Sequence, residues 1–189
     1  MNKKLLLITY LLSFTCLVAT AQTTTPADTI VTDRGYLVKV GDLAPNDFEL
    51  VLANGTKTSL KQLRGKVVIL QFTASWCSVC REEMPHLQKD IWEAYKNKGL
   101  VLIGVDRDEP LNRVQKFHQD MKITYNLALD PGADIFGRFA NKKSGVTRNV
   151  VIDREGRIVY LTRLYDQHEF ASMVKVVDAL VNNKNASLN

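Results

Sequence analysis

A chain of 189 residues with 46% apolar and 24% charged side chains is long enough to bury one core and too short for two ordinary domains, so a single domain is expected. Its formal charge of +5 is carried by basic residues scattered among acidic ones. With no basic run and no aromatic-interleaved stripe, no nucleic-acid partner is expected.

The amino terminus carries Lys3 and Lys4, an uncharged apolar run from Leu5 to Val18, and then Ala19-Thr20-Ala21, small residues where a signal peptidase needs them. Residues 1–21 therefore read as a secretory signal peptide cleaved before Gln22, and the protein as exported to the periplasm. The run is shorter than the roughly 18 to 20 apolar residues that cross a bilayer, so a membrane tether through an uncleaved signal is the weaker reading. Lipidation at Cys16 is weaker still, because Phe14 and Thr15 fit poorly before a lipidated cysteine. Cleavage removes two lysines, lowers the formal charge to +3 and leaves Cys77 and Cys80 as the two remaining thiols.

Residues 22–35, rich in Thr and Asp, read as a flexible leader, and residues 36–189 as the domain. Short apolar stretches at Leu37 to Val40 and Phe48 to Leu52, with Asn54-Gly55 as a turn signal, predict an added amino-terminal hairpin. Val67 to Phe72 is a nearly continuous apolar run, the pattern of a strand covered on both faces. From Ser78 to about Lys98 the spacing of Met84, Leu87, Ile91, Trp92 and Tyr95 predicts a one-sided helix, kinked by Pro85 and stopped by Gly99.

A strand at Leu100 to Val105, a helix at Leu111 to Met121, a strand at Tyr125 to Leu129 and a short helix at Ala133 to Ala140 follow. Asn149 to Ile152 and Arg157 to Leu161 flank Asp153-Arg154-Glu155-Gly156 as two antiparallel strands, and an amphipathic helix closes the chain from about Gln167 to Val181. This order predicts an α/β fold with a mixed central sheet and helices on both faces.

The Cys77–Cys80 pair encloses two residues, so as a structural bridge it would constrain almost nothing in the unfolded chain. Chemistry explains it better. Cys77 follows a buried strand and opens a helix, where unpaired backbone N–H groups and the helix dipole favour a thiolate. A thiol pKa lowered from about 8.5 towards neutrality raises the attacking fraction at physiological pH. Cys80, nearly one turn deeper, is placed to resolve a mixed disulfide.

The segment Phe72-Thr73-Ala74-Ser75-Trp76-Cys77-Ser78-Val79-Cys80-Arg81-Glu82-Glu83-Met84-Pro85 resembles the active site of thioredoxin-like proteins of the TlpA and ResA type. Gly41-Asp42-Leu43-Ala44-Pro45 looks like the motif that leads into their first hairpin, and Val151-Ile152-Asp153-Arg154-Glu155-Gly156 like their late strand and turn. The resemblance implies a thioredoxin fold with an inserted strand and helix. It also implies an exported thiol–disulfide oxidoreductase, usually reducing, with Cys77 as nucleophile and Cys80 as resolving thiol. Protein thiols and disulfides would be its substrates, and a membrane or periplasmic donor its source of electrons. No cofactor and a monomer are expected.

Where ordinary thioredoxins have a buried acid on the preceding strand, this chain has Gln71, which does not titrate. Glu83 matches the family's active-site glutamate, and burial there would raise its pKa into a range suited to proton exchange with the thiols. The family's cis-proline position is taken by Thr147, in Gly145-Val146-Thr147-Arg148-Asn149. A cis peptide before Thr costs about 2.5 to 4 kcal/mol, so this loop is expected to be trans or rearranged. Arg148 is weighed as a thiolate partner against a solvent-facing loop residue. Trp76 is weighed as an exposed docking aromatic against core packing. Trp76, Thr147 and Arg148 form the expected docking set.

The charges from Asp106 to Glu109 either select partners or form a solvated loop. His86, His118 and His168 share no ligand spacing and are assigned to no metal. Three other functions compete with the oxidoreductase. One is a copper- or zinc-handling module built on the two thiolates. Another is a thiol peroxidase, whose Thr-x-x-Cys pattern meets Ala74 here, and the last is an inactive interaction domain.

Overall fold

The computed structural model describes residues 34–182. The expected signal peptide over 1–21, and all of the expected leader except Arg34 and Gly35, lie outside the described residues. Those two belong to the fold: the Arg34 guanidinium pairs with Glu169 and donates to the carbonyl of Arg163 at 2.9 Å.

Among the described residues seven strands form one sheet in the order β2-β1-β5-β4-β3-β6-β7. β1 (Leu50–Leu52) and β2 (Lys57–Thr58) are the expected hairpin, turned at Asn54-Gly55 with Gly55 at φ 86° and the Asn54 side chain accepting from the Thr56 N–H. Leu37 to Val40, expected as strand, is an irregular strap. The Leu37 N–H goes to the carbonyl of Phe139 and the Gly41 N–H to that of Ile158, so no strand ladder forms there, and Leu37 and Val40 are exposed.

β3 (Val67–Thr73) is buried at every position. It runs parallel to β4 (Leu100–Arg107) and antiparallel to β6 (Arg148–Ile152); β5 (Asn126–Asp130) is parallel to β4, and β7 (Ile158–Arg163) antiparallel to β6. Alternate residues of β3 serve two cores. Val68, Leu70 and Phe72 pack with Phe136 and Phe139 of α4 (Phe136–Phe139). Val67 and Ile69 pack with α1 (Ser78–His86), α3 (Leu111–Met121) and α5 (Gln167–Asn182) on the other face.

The helix after Cys77 does more than kink. α1 ends at His86, one residue after Pro85, and the chain continues as a π-helical segment from Leu87 to Trp92 and a short α2 (Glu93–Tyr95). Proline gives no N–H to the preceding turn, and the wider segment begins at once after it. Between β5 and α4 a 3-10 turn runs from Pro131 to Ala133. The succession β3-α1-β4-α4-β6-β7-α5 is a thioredoxin fold, with α3 and β5 inserted between β4 and α4. No helix among the described residues is long and apolar enough to cross a membrane.

Candidate functional site

Cys77 sits at the end of the loop leaving β3, and its extended backbone (φ −86°, ψ 107°) makes it the cap of α1. Its Sγ accepts the Cys80 N–H at 3.2 Å, and no acidic side chain lies in the first turn of the helix. The positive end of the helix is thus left facing sulfur. Cys77 and Cys80 are joined as a disulfide with their Cα atoms 5.3 Å apart. Cys77 keeps a thin exposed edge at 8%, whereas Cys80 is fully covered, so a partner meets Cys77 first.

Thr147 lies opposite. Its Oγ1 is 3.2 Å from both sulfurs, and because a disulfide has no proton to give, the hydroxyl is the donor. The peptide before Thr147 is trans, since no peptide among the described residues is cis. Trp76 is 64% exposed next to Cys77 and does not pack in the core.

Beneath the pair lies a buried polar layer. Glu83, 1% exposed, accepts from the Asn149 side-chain amide at 2.6 Å and from that of Gln71 at 3.3 Å. Burial lifts its carboxyl to about 7, and the two amide donors hold it back from rising further. Gln71 in turn accepts from the Tyr125 hydroxyl at 2.8 Å. Gly104 of β4 lies beside this contact and makes room for Leu127, with which a Cβ there would collide.

Two expectations are corrected. Arg148 is neither solvent-facing nor available to dock a substrate, because it is fully buried. Its guanidinium donates to the Arg34 carbonyl at 2.7 Å and the Ser144 hydroxyl at 2.8 Å and lies 4.6 Å from the Tyr36 ring centroid. It ties the start of the fold to the loop bearing Thr147. The charges from Asp106 to Glu109 are not simply a solvated loop either. Asp106 is completely buried at the end of β4, and neither of its carboxyl oxygens receives a hydrogen bond from a donor group. Burial first, and the neighbouring Glu109 second, push its carboxyl up to about 8. Glu109 clamps the active-site loop, accepting from the Ser75 N–H at 2.5 Å and the Ser75 hydroxyl at 2.6 Å.

The fold therefore brings Cys77, Cys80 and Thr147 together, places Glu83 beneath them and Trp76 beside them, and leaves Arg148 apart. The sequence pattern assigns Asn149 no role, and Asp106 and Glu109 only that of a partner-selecting cluster or a solvated loop. Asn149, two residues after Thr147, carried the one sequence signal within reach: an amide opening an otherwise apolar expected strand. Among the described residues no group of three or more His, Cys, Asp or Glu side chains is arranged to hold a metal ion.

Comparison with known proteins matches residues 40–161 to the AhpC/TSA family. The thiol-disulfide oxidoreductase ResA of Bacillus cereus is 33% identical over 122 residues, or 65% of this chain and 68% of that protein. A solution structure from Bacteroides thetaiotaomicron, proposed to be a protein disulfide isomerase, is 54% identical with a TM-score of 0.76, covering 79% of this chain and 94% of that one. The thioredoxin domain of a Bacteroides vulgatus thiol-disulfide oxidoreductase is 28% identical with a TM-score of 0.63, covering 74% and 99%.

Proposed function

We propose that this chain, which belongs to the AhpC/TSA family and is a thiol–disulfide oxidoreductase acting on protein thiols and disulfides, works as a reductase outside the cytoplasm through Cys77 and Cys80. The observation that carries the reading is the sulfur pair at the start of α1, with a thin edge of Cys77 exposed and Cys80 fully covered. In the reduced protein the Cys77 thiolate attacks one sulfur of a substrate disulfide, forming a mixed disulfide and expelling the substrate's other thiolate. The Cys80 thiolate then attacks Cys77, which closes the Cys77–Cys80 bond and releases the second substrate thiolate, so that two electrons have passed to the substrate.

The helix terminus and the Thr147 hydroxyl favour the attacking thiolate. Glu83, with a carboxyl that titrates at about 7, takes the proton that Cys80 must lose before it resolves the intermediate. Trp76 and Thr147 line the approach of the substrate chain. Each turnover leaves the pair oxidised, so a donor, membrane-bound or periplasmic, must reduce it again. The signal pattern of residues 1–21 supports export, and a monomer suffices because both thiols come from one chain.

The deciding measurement is the reduction potential of the Cys77–Cys80 couple, set against defined thiol–disulfide buffers. A value near that of reducing thioredoxins, about −270 mV, is expected. A value near −120 mV, that of strong oxidants, would reverse the direction of electron flow. Failure to form the bridge at all would leave metal handling by the two thiolates as the better reading.

A further inference from the structure

Beside the sulfur pair a cleft of about 370 Å³ opens, with Ser75, Arg81, Arg113 and Lys116 among its lining residues. Arg81 follows Cys80 on α1, while Arg113 and Lys116 stand on α3, the inserted helix. Arg81 forms no ion pair among the described residues; its guanidinium lies 5.6 Å from the centroid of the Phe117 ring, which also lines the cleft. The side chains of Arg113 and Lys116 are 63% and 74% exposed, so solvent and a ligand both reach them.

Two carboxylates offset part of this charge. Asp120 pairs with Lys116 at 2.8 Å, and Glu109 lies 3.7 Å from the Arg113 side chain but is committed to the Ser75 N–H and hydroxyl. Three cations against these two leave a positive surplus. The amino terminus of α3 adds to it, with no acidic residue in the first turn and no side-chain cap.

We infer that this cleft docks acidic segments of protein substrates, so that a disulfide flanked by Asp or Glu is reduced in preference to a neutral one. The inference rests on the oxidoreductase reading above and specifies its substrate. The geometry sets the spacing. Ser75 both lines the cleft and precedes Cys77 by two residues, and an extended chain advances about 3.3 to 3.6 Å per residue. The cleft thus begins within about 7 Å of the nucleophile along the backbone. A carboxylate about two or three residues from the attacked cysteine reaches it. Opposite charge at that distance raises the encounter rate and holds the substrate in register.

The test uses three synthetic peptides that carry the same disulfide and differ only in two flanking residues, Glu, Gln or Lys. Each is reduced by the dithiol protein, and its rate is divided by its rate with a small neutral dithiol, which removes the intrinsic reactivity of the peptide. The Glu peptide is expected to react on the order of tenfold faster than the Gln peptide at low ionic strength, the Lys peptide slower than both, and the gap to close in about 1 M salt. Lys116→Glu and Arg113→Gln, made separately, are expected to shrink the Glu-to-Gln ratio. Equal normalised rates for the three peptides, or a ratio unchanged in both variants, would overturn the docking site while leaving the oxidoreductase intact. Reduction of none of the three would overturn both.

Discussion

Two buried carboxyls lie on the same face of the sheet, Glu83 on the flank where β3 meets β6 and Asp106 on the flank where β3 meets β4. Their exposures are 1% and 0%, yet their surroundings differ. Glu83 receives two amide N–H groups, from Gln71 and Asn149, and titrates at about 7. Asp106 receives none, faces the carboxylate of Glu109, and titrates at about 8. Burial is the largest cause of the rise in both; what separates them is that Glu83 is offered amide donors and Asp106 a second carboxylate, that of Glu109. One flank gives its carboxyl two donors and a pKa near neutrality, the property that the proposed proton transfer requires. The other keeps its carboxyl protonated over most of the physiological range, and Glu109, three residues later, clamps Ser75.

The most severe way to break the comparison is to remove the sulfur that both flanks serve. Cys77→Ser is expected to abolish exchange with a model disulfide, a loss on the order of a thousandfold or more, while Cys80→Ser accumulates the mixed disulfide, visible by mass spectrometry. Glu83→Gln keeps the shape and removes the titration. A fall of about 10 to 100-fold in the exchange rate is expected, together with loss of an inflection near pH 7 in the pH–rate profile. An unchanged profile would take Glu83 out of the proton path.

Asp106→Asn addresses the other flank. Because the folded carboxyl titrates near 8 and an unfolded one near 3.9, the native state holds a proton that the unfolded chain has released. Stability therefore falls as pH rises from about 4 to about 8, and stays low above that. Asp106→Asn removes this fall and is expected to gain about 1 to 3 kcal/mol at pH 8 and little at pH 4, measured by urea unfolding. Glu83→Gln acts in the same direction over a window that closes near pH 7. The smallest effect belongs to Thr147→Val. Without its hydroxyl the Cys77 thiolate loses a donor, and the thiol pKa is expected to rise by about half to one unit, read from the ultraviolet absorbance of the thiolate.

Much of this was legible in the residues themselves. Continuous apolar runs marked β3 and β4 because strands covered on both faces have no polar side to show. Helical spacing placed α3 at Leu111 to Met121, where it stands. A cysteine at the junction of such a strand and a helix implied a capped, activated sulfur, and Cys77 caps α1. These are local facts, set by side-chain period, by backbone propensity and by groups within one turn of each other.

What the sequence left open was decided by contacts across long separations. Thr147 reaches the sulfurs from 70 residues away, Asn149 reaches Glu83 from 66, and Arg148 reaches the Arg34 carbonyl from 114. Local pattern treats Arg148 as a loop charge and Asp106 as the edge of a solvated cluster, since charged residues are rarely buried. Only the pairing of β3 between β4 and β6 determines which polar groups share the covered face, and hence which carboxyl finds a donor and which is left without one.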